Sequence, residues 1–161
     1  MPDIKQARIL IIATDGFEQS ELLVPQEKLE DAGAKVEVAA PKSRRKTGKI
    51  YGGQINPDKL RLELKAIEII RSFLDSGKVV AAICHAPWLL IEAGAAKGRR
   101  LTSYRSIRTD VVNAGGDWRD EAVVTDQGII TSRSPADLEP FVAKIIEEVQ
   151  EGVHAGRRAA E

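Results

Sequence analysis

The sequence predicts an α/β fold in which a mostly parallel sheet is covered by helices on both faces. Two observations predict it. Short apolar runs rich in β-branched residues alternate with longer segments whose apolar residues recur at helical spacing. The length of 161 residues also fits one domain that can bury a core. We expect this domain to span residues 1–152, and residues 153–161 to form a polar tail.

The first forty residues predict three elements. Residues 8–13 are an apolar run that predicts a buried strand, and residues 18–32 predict a helix that ends at Gly33. Pro25 lies within that helix and is expected to kink it. A second short apolar run at residues 35–40 predicts the next strand.

The middle of the chain predicts a helix, a strand and a second helix. Residues 58–76 carry Leu and Ile at helical spacing, which indicates one surface helix with a buried stripe. Residues 78–83 are mostly small or β-branched and predict a buried strand that leads to Cys84. Pro87 suits the first turn of a following helix, and Gly94 suits its C-terminal cap.

The last third of the chain predicts a short strand and helix, a hairpin, and a final helix. In order, these lie at residues 101–104, 107–114, 123–125 with 129–131, and 138–149. An Asp-Gln-Gly turn between the two hairpin strands favours their pairing. The Ser-Pro-Ala-Asp segment at residues 134–137 is a capping signature for the final helix.

Cys84 is the candidate nucleophile. It is the only cysteine, it stands at the junction of a predicted strand and helix, and His85 follows it directly. If Cys84 opens the helix, the helix dipole and first-turn N–H groups lower its pKa below that of a free thiol, which is about 8.5. The alternative is a buried cysteine that acts as a small hydrophobic residue.

Composition excludes several classes of function. Lys plus Arg and Asp plus Glu each number 24, so no net charge attracts nucleic acid or an anionic membrane. Residues 42–49 hold five basic side chains, for which we favour a solvated loop over a phosphate site. One cysteine cannot form an internal disulfide, and neither a metal-ligand motif nor a signal or membrane-spanning segment is evident. We expect a cytoplasmic protein without metal or cofactor.

Several segments together resemble the PfpI-type intracellular protease family of the ThiJ/PfpI superfamily, which has the type 1 glutamine amidotransferase-like fold. The resemblance runs in order from about residue 8 to residue 149. The segments that carry it are Ala-Thr-Asp-Gly-Phe-Glu at residues 13–18, Gly-Gly-Gln-Ile-Asn-Pro-Asp at 52–58, Ala-Ile-Cys-His-Ala-Pro-Trp at 82–88, Thr-Ser-Tyr at 102–104 and Asn-Ala-Gly-Gly-Asp-Trp at 113–118.

The resemblance implies a flavodoxin-like, three-layer sandwich with a nucleophile elbow after the strand at residues 78–83. It also implies a homodimer with a shared active site. Cys84 would be the nucleophile and His85 its base, oriented by Asp58 of the neighbouring subunit. Glu18 would hydrogen-bond the nucleophile, and Gly52 and Gly53 would form the oxyanion site, with the N–H groups of Gly53 and His85 as donors.

Each acid and base has a simpler interpretation. Glu18 could be a first-turn acid that complements a helix dipole, and Asp58 could cap its own helix. His85 alone is more often a structural histidine than a base. Together with Cys84, however, they supply a nucleophile, a base and an orienting group, which is the logic of covalent catalysis.

The chain departs from the family pattern in two places. Ala86 stands where the family usually has glycine, which adds a methyl group near the site. The family also carries a hairpin-like segment and a buried strand before its glycine pair, whereas residues 41–51 are too short and too charged for them. We therefore expect one strand to be absent here, and the protein from its own organism to exceed 17.6 kDa.

Three functional classes follow. The first, which we favour, is a stress-protective cysteine-dependent hydrolase or lyase that acts on small carbonyl compounds such as methylglyoxal, on glycated adducts or on peptides. The second is a redox-sensing or chaperone-like stress protein that uses oxidation of Cys84. The third, a glutamine amidotransferase domain, needs a downstream histidine and glutamate. Only His154 lies downstream, so we set this class aside.

Overall fold

Seven strands and six helices alternate along the chain in a computed structural model that describes residues 2–40 and 55–154. The strands are β1 (Arg8–Ile12), β2 (Lys35–Ala39), β3 (Val80–Ile83), β4 (Arg100–Leu101), β5 (Asp117–Trp118), β6 (Val123–Asp126) and β7 (Ile129–Ser132). The helices are α1 (Gln19–Asp31), α2 (Ile55–Leu60), α3 (Leu64–Asp75), α4 (Pro87–Glu92), α5 (Arg108–Asn113) and α6 (Leu138–Glu151). The predicted α/β class is confirmed.

Strand pairing is mostly parallel, as expected. β1 pairs with β2, β3 with β7, and β4 with β5 in parallel, and of the pairs that the structure describes only the β6–β7 hairpin is antiparallel. Among the described strands, β1–β2 and β3–β7–β6 are separate sheets with no ladder hydrogen bonds between them. Each of β1 and β3 therefore has one edge without a neighbouring strand in this part of the chain. On β1 it is the edge away from β2, and on β3 it is the edge away from β7.

Two apolar clusters form the core. One joins α3 and α4 to β4 and α5, with Leu60, Leu90 and Val111 almost fully buried. The other joins α1 and α6 to β3 and β7, with Leu29 and Phe141 at its centre. Each cluster lies under amphipathic helices, so both sheet faces are covered.

A large apolar cavity of about 630 Å³ lies between the two sheets. It is lined along its length by β1 and β3, and by side chains of α1, α3, α4 and α6 such as Leu22, Phe73 and Phe141. At about 24 cal/mol per Å³, a sealed and empty cavity of this size would cost about 15 kcal/mol. That cost matches the upper end of the stability of a typical domain, which is about 5–15 kcal/mol. The cavity lies along the edges of β1 and β3 that no described strand pairs.

The structure corrects the single helix expected at residues 58–76. A turn at residues 61–63 separates α2 from α3, with Glu63 N–H donating to Leu60 O at 3.0 Å. Leu60 is 1% exposed, whereas Leu64, one helical turn later in the sequence, is 79% exposed. The turn therefore removes Leu64 from the buried stripe that the spacing predicted.

Three smaller expectations also change. The predicted strand at residues 101–104 is only β4, and β5 was not predicted. A 3-10 turn at Pro135–Asp137 precedes α6, and Ser134 makes no side-chain cap hydrogen bond. His154, in the expected tail, packs back because its N–H donates to Gly77 O at 2.9 Å. None of the described helices has the length and hydropathy needed to cross a membrane.

Candidate active site

The backbone of Cys84 is held in a left-handed conformation, with φ of 61°. For a residue other than glycine this costs about 1–2 kcal/mol. Hydrogen bonds fix it from both sides, since Cys84 N–H donates to Ser132 O at 3.0 Å and Tyr104 N–H donates to Cys84 O at 2.7 Å. Strain of this kind is typical of functional residues, and here it turns the side chain out of β3 in the manner of a nucleophile elbow.

Cys84, His85 and Ser106 form a chain of polar contacts. The Cys84 Sγ atom lies 3.1 Å from Nδ1 of His85, and Nε2 of His85 lies 3.0 Å from Oγ of Ser106. When Nδ1 accepts the thiol proton, Nε2 carries the ring N–H and donates it to Ser106. The second contact therefore orients His85 as a base toward Cys84.

Aromatic rings hold the imidazole in place. The ring of Tyr104 stacks on His85 with centroids 4.8 Å apart, and Trp88 packs at a tilt with centroids 5.6 Å apart. His85 is buried, with 4% of its surface exposed. Burial lowers the pKa of His85, so the imidazole is neutral and able to accept a proton at neutral pH.

Two carboxylates at the start of α1 have different roles in this geometry. Glu18 is the N-cap residue, and its Oε2 accepts hydrogen bonds from Glu21 N–H at 2.9 Å and from the Ser20 hydroxyl. Glu21 is the acid that interacts most strongly with the Cys84 thiol. Burial raises the pKa of Glu21 to about 7, and its Oε1 atom has no hydrogen-bond partner among the described residues.

The thiol of Cys84 does not have the low pKa that the sequence predicted. Burial is the main cause that raises the pKa of Cys84 well above its usual range, and the charges of Glu21 and Glu18 add to it. The helix dipole that was expected to lower the pKa of Cys84 has little effect, because Cys84 does not open the helix. Ala86 is the N-cap residue and α4 begins at Pro87, so the thiol lies outside the first turn.

The described structure does not bring the remaining predicted site residues into this group. Asp58 is exposed in the first turn of α2, and within residues 2–40 and 55–154 it makes no hydrogen bond or ion pair. Asp58 was expected to contact His85 of the other subunit, and within one chain Ser106 contacts Nε2 of His85. Gly52, Gly53 and the basic residues 42–49 lie outside the described residues.

Sequence reasoning missed Glu21, Ser106 and the role of Tyr104. Glu21 could have been found because it lies three residues after Glu18, on the same face of the predicted helix. Ser106 gives no such signal, because it reaches His85 through a 3-10 turn, Arg105–Ile107, between β4 and α5.

Comparison with known proteins bears on the family to which the chain belongs. The model of the DJ-1/PfpI family matches residues 49–148. A two-domain protein from Anabaena variabilis, with a DJ-1/ThiJ/PfpI-like and a ferritin-like domain, has a similar structure with a TM-score of 0.83. It is 27% identical, and the similarity covers 97% of this chain and 52% of that one.

Two curated relatives resemble the chain over nearly their whole length. A protein of Archaeoglobus fulgidus without assigned function is 40% identical over 162 positions, which cover 86% of this chain and 96% of the relative. A deglycase of Pyrococcus abyssi is 38% identical and covers 86% and 97%. Since 86% of 161 residues is about 138, roughly two dozen of the 162 positions have no counterpart in this chain. The matched segments and the fold show that the chain belongs to the DJ-1/PfpI family.

Proposed function

We propose that the protein is a cysteine-dependent deglycase or glyoxalase-type enzyme that acts on methylglyoxal and on its adducts, with Cys84 as nucleophile. One observation carries the proposal: a strained, buried Cys84 has its Sγ 3.1 Å from a neutral imidazole nitrogen of His85. The deglycase name of the relative from Pyrococcus abyssi supports the same substrate class.

The raised thiol pKa favours general-base catalysis over a resting thiolate. In the first step, Sγ of Cys84 attacks the aldehyde carbon while the thiol proton passes to Nδ1 of His85. The carbonyl oxygen then takes up a proton, which gives a hemithioacetal. Ser106 maintains the direction of the transfer because it holds Nε2 on the far side of the ring.

Glu21 is suited to the second step, which moves a proton between carbons. Its pKa of about 7 lets it both accept and donate a proton near neutral pH. It removes the proton from the hemithioacetal carbon and returns one to the neighbouring carbon, which gives a thioester of lactate. Water then releases lactate and the free thiol, so methylglyoxal and one water molecule yield one lactate.

We further propose a homodimer in which Asp58 contributes to the site of the other subunit. Asp58 is exposed close to the α2–α3 turn, where Leu62 and Leu64 are 81% and 79% exposed. Exposed leucines next to an unpaired carboxylate suit a buried interface better than a free surface. Across such an interface Asp58 would complete the chain that begins at Cys84 and passes through His85 and Ser106.

Lactate formation from methylglyoxal tests the proposed reaction. The wild-type protein should form lactate, Cys84→Ala should not, and Glu21→Gln should lose more activity than Glu18→Gln. Far-UV circular dichroism controls for folding of each variant. Equal losses in the two glutamate variants would assign the proton transfer elsewhere, and lactate formed by Cys84→Ala would refute covalent catalysis.

A redox-sensing role is the second candidate. It rests on the solitary, strained thiol, but oxidation by peroxide proceeds through the thiolate, which burial disfavours here. Intact mass after peroxide treatment distinguishes the two. A gain of two oxygens on Cys84 at low peroxide, with no lactate formation, would favour the sensor.

A further inference from the structure

Glu148, Glu151 and His154 form a cluster at the end of the sheet opposite to Cys84. Glu148 and Glu151 are three residues apart and lie on the same face of α6. Gly152, with φ of 100°, ends the helix and turns the chain so that His154 faces back toward the carboxylates. We call these three residues the C-terminal cluster.

The position of His154 is built into the fold by two glycines. His154 N–H donates to Gly77 O at 2.9 Å, and a Cβ at Gly77 would lie 2.7 Å from His154 O. A Cβ at Gly128 would lie only 2.4 Å from Cδ2 of the imidazole. Side chains at either position would displace His154, so the two turns before β3 and β7 leave a shaped space for it.

The donor atoms of the cluster converge on one point. One ligand atom from each residue lies within 4.8 Å of the other two, and Oε2 of Glu148 is 3.1 Å from Nε2 of His154. Glu148 is only 6% exposed. Neither of these two buried atoms makes a well-aligned hydrogen bond with the described residues. Apart from their 3.1 Å contact with each other, these two atoms have no hydrogen-bond partner among the described residues, so both are available to a cation.

We propose that Glu148, Glu151 and His154 bind a divalent transition-metal ion of the zinc type. One imidazole nitrogen and two carboxylate oxygens are donors that Zn²⁺ accepts, at about 2.0–2.2 Å from the metal. The donor atoms lie within 4.8 Å of one another, so small side-chain movements would place each of them at these distances from a shared ion. Glu151 is exposed, so water reaches this side and completes a four-coordinate site.

The bound ion would have a structural effect on the fold. It would connect the last turn of α6 to His154, which is already bonded to the turn before β3. β3 leads to Cys84 at its other end, so the ion would stabilise the strand that carries the nucleophile. We expect it to raise the melting temperature, because a ligand that binds only the folded state stabilises it.

Isothermal titration with ZnCl₂ tests the site. Cys84→Ala serves as the parent because it removes the one thiol that could bind zinc itself. We expect one ion per chain in this parent, and a higher melting temperature with zinc. His154→Ala should abolish this binding, and Glu151→Gln should weaken it at least tenfold.

Glu147→Gln is the matched control. Glu147 lies on the same helix and pairs with Lys144, outside the cluster, so zinc affinity should stay unchanged in this variant. Because Glu151 is exposed, Glu151→Gln tests the site without risk to the fold. No saturable binding in the parent would overturn the proposal, as would equal affinity in the parent, His154→Ala and Glu151→Gln.

Discussion

Adding a strand between β1 and β3 should stabilise this protein strongly. The change is an insertion, between residues 41 and 51, of a designed segment that contains one apolar β-strand. About 630 Å³ of apolar cavity is available, and at about 24 cal/mol per Å³ complete filling is worth at most about 15 kcal/mol. Because the cavity is open to water, which offsets part of the cost of the unfilled space, we expect a gain of several kcal/mol rather than this full value.

Urea unfolding, followed by the fluorescence of the two tryptophans, measures the gain. The chain of 161 residues should unfold at low urea and bind a dye for exposed apolar surface, whereas the insertion variant should not bind it. A Gly/Ser insertion of equal length controls for loop length, which itself costs little. The reasoning is refuted if the parent chain already unfolds cooperatively with ordinary stability and without dye binding.

A related measurement concerns the protein in its own organism. The two dozen unmatched positions of the relative from Archaeoglobus fulgidus support the expectation that the natural mass exceeds 17.6 kDa. Intact-mass spectrometry of the endogenous protein checks this directly. A mass of 17.6 kDa would show that the short form is the natural one, and would leave the cavity to be filled by another molecule.

Further predictions concern the site. The rate of alkylation of Cys84 should keep rising as the pH is raised above 8.5. An inflection of the rate against pH below 8.5 would contradict the raised pKa. Mixing Asp58→Asn with Cys84→Ala subunits should restore activity through mixed dimers with one intact site, and no recovery despite subunit exchange would make Asp58 only a cap. Ser106→Ala should lower kcat about fivefold, the worth of one hydrogen bond near 1 kcal/mol, with KM unchanged as the check on a positioning role. Glu21 should stabilise the fold fully below pH 4.5 and lose this effect as pH rises through about 7, so Glu21→Gln should flatten the dependence of the melting temperature on pH.

The elements of the fold were predictable because their signals are local. Apolar runs gave β1, β2 and β3, and the stripe of α6 gave the last helix within a few residues of its bounds. The break between α2 and α3 was not predictable, because Leu64 has the spacing of a buried residue and only the surrounding packing exposes it. The spacing of apolar residues is the same for one long helix as for two helices joined by a short turn, so it does not show where α2 ends.

The site was predictable in part for a similar reason. Cys84 and His85 are adjacent in the sequence, so their pairing needed no tertiary information. Ser106 and Glu21 reach the same point from distant segments. The pKa of Cys84 was predicted with the wrong sign. Burial of the thiol and the start of α4 three residues later decide this pKa, and neither can be read from composition.

The division of the sheet has a consequence for how the site stays assembled. Glu18 and Glu21 belong to the unit formed by β1, α1 and β2, whereas the thiol and imidazole belong to the unit around β3. With no strand ladder between them in the described structure, α1 is held to α6 by side chains, including the ion pair of Lys28 with Glu139 at 2.8 Å. Local opening of the first unit would carry Glu21, the group proposed to transfer the proton, away from Cys84 while the second unit stays folded. Hydrogen exchange should therefore be faster in β1 than in β7, and activity should fade on warming before the helical signal does.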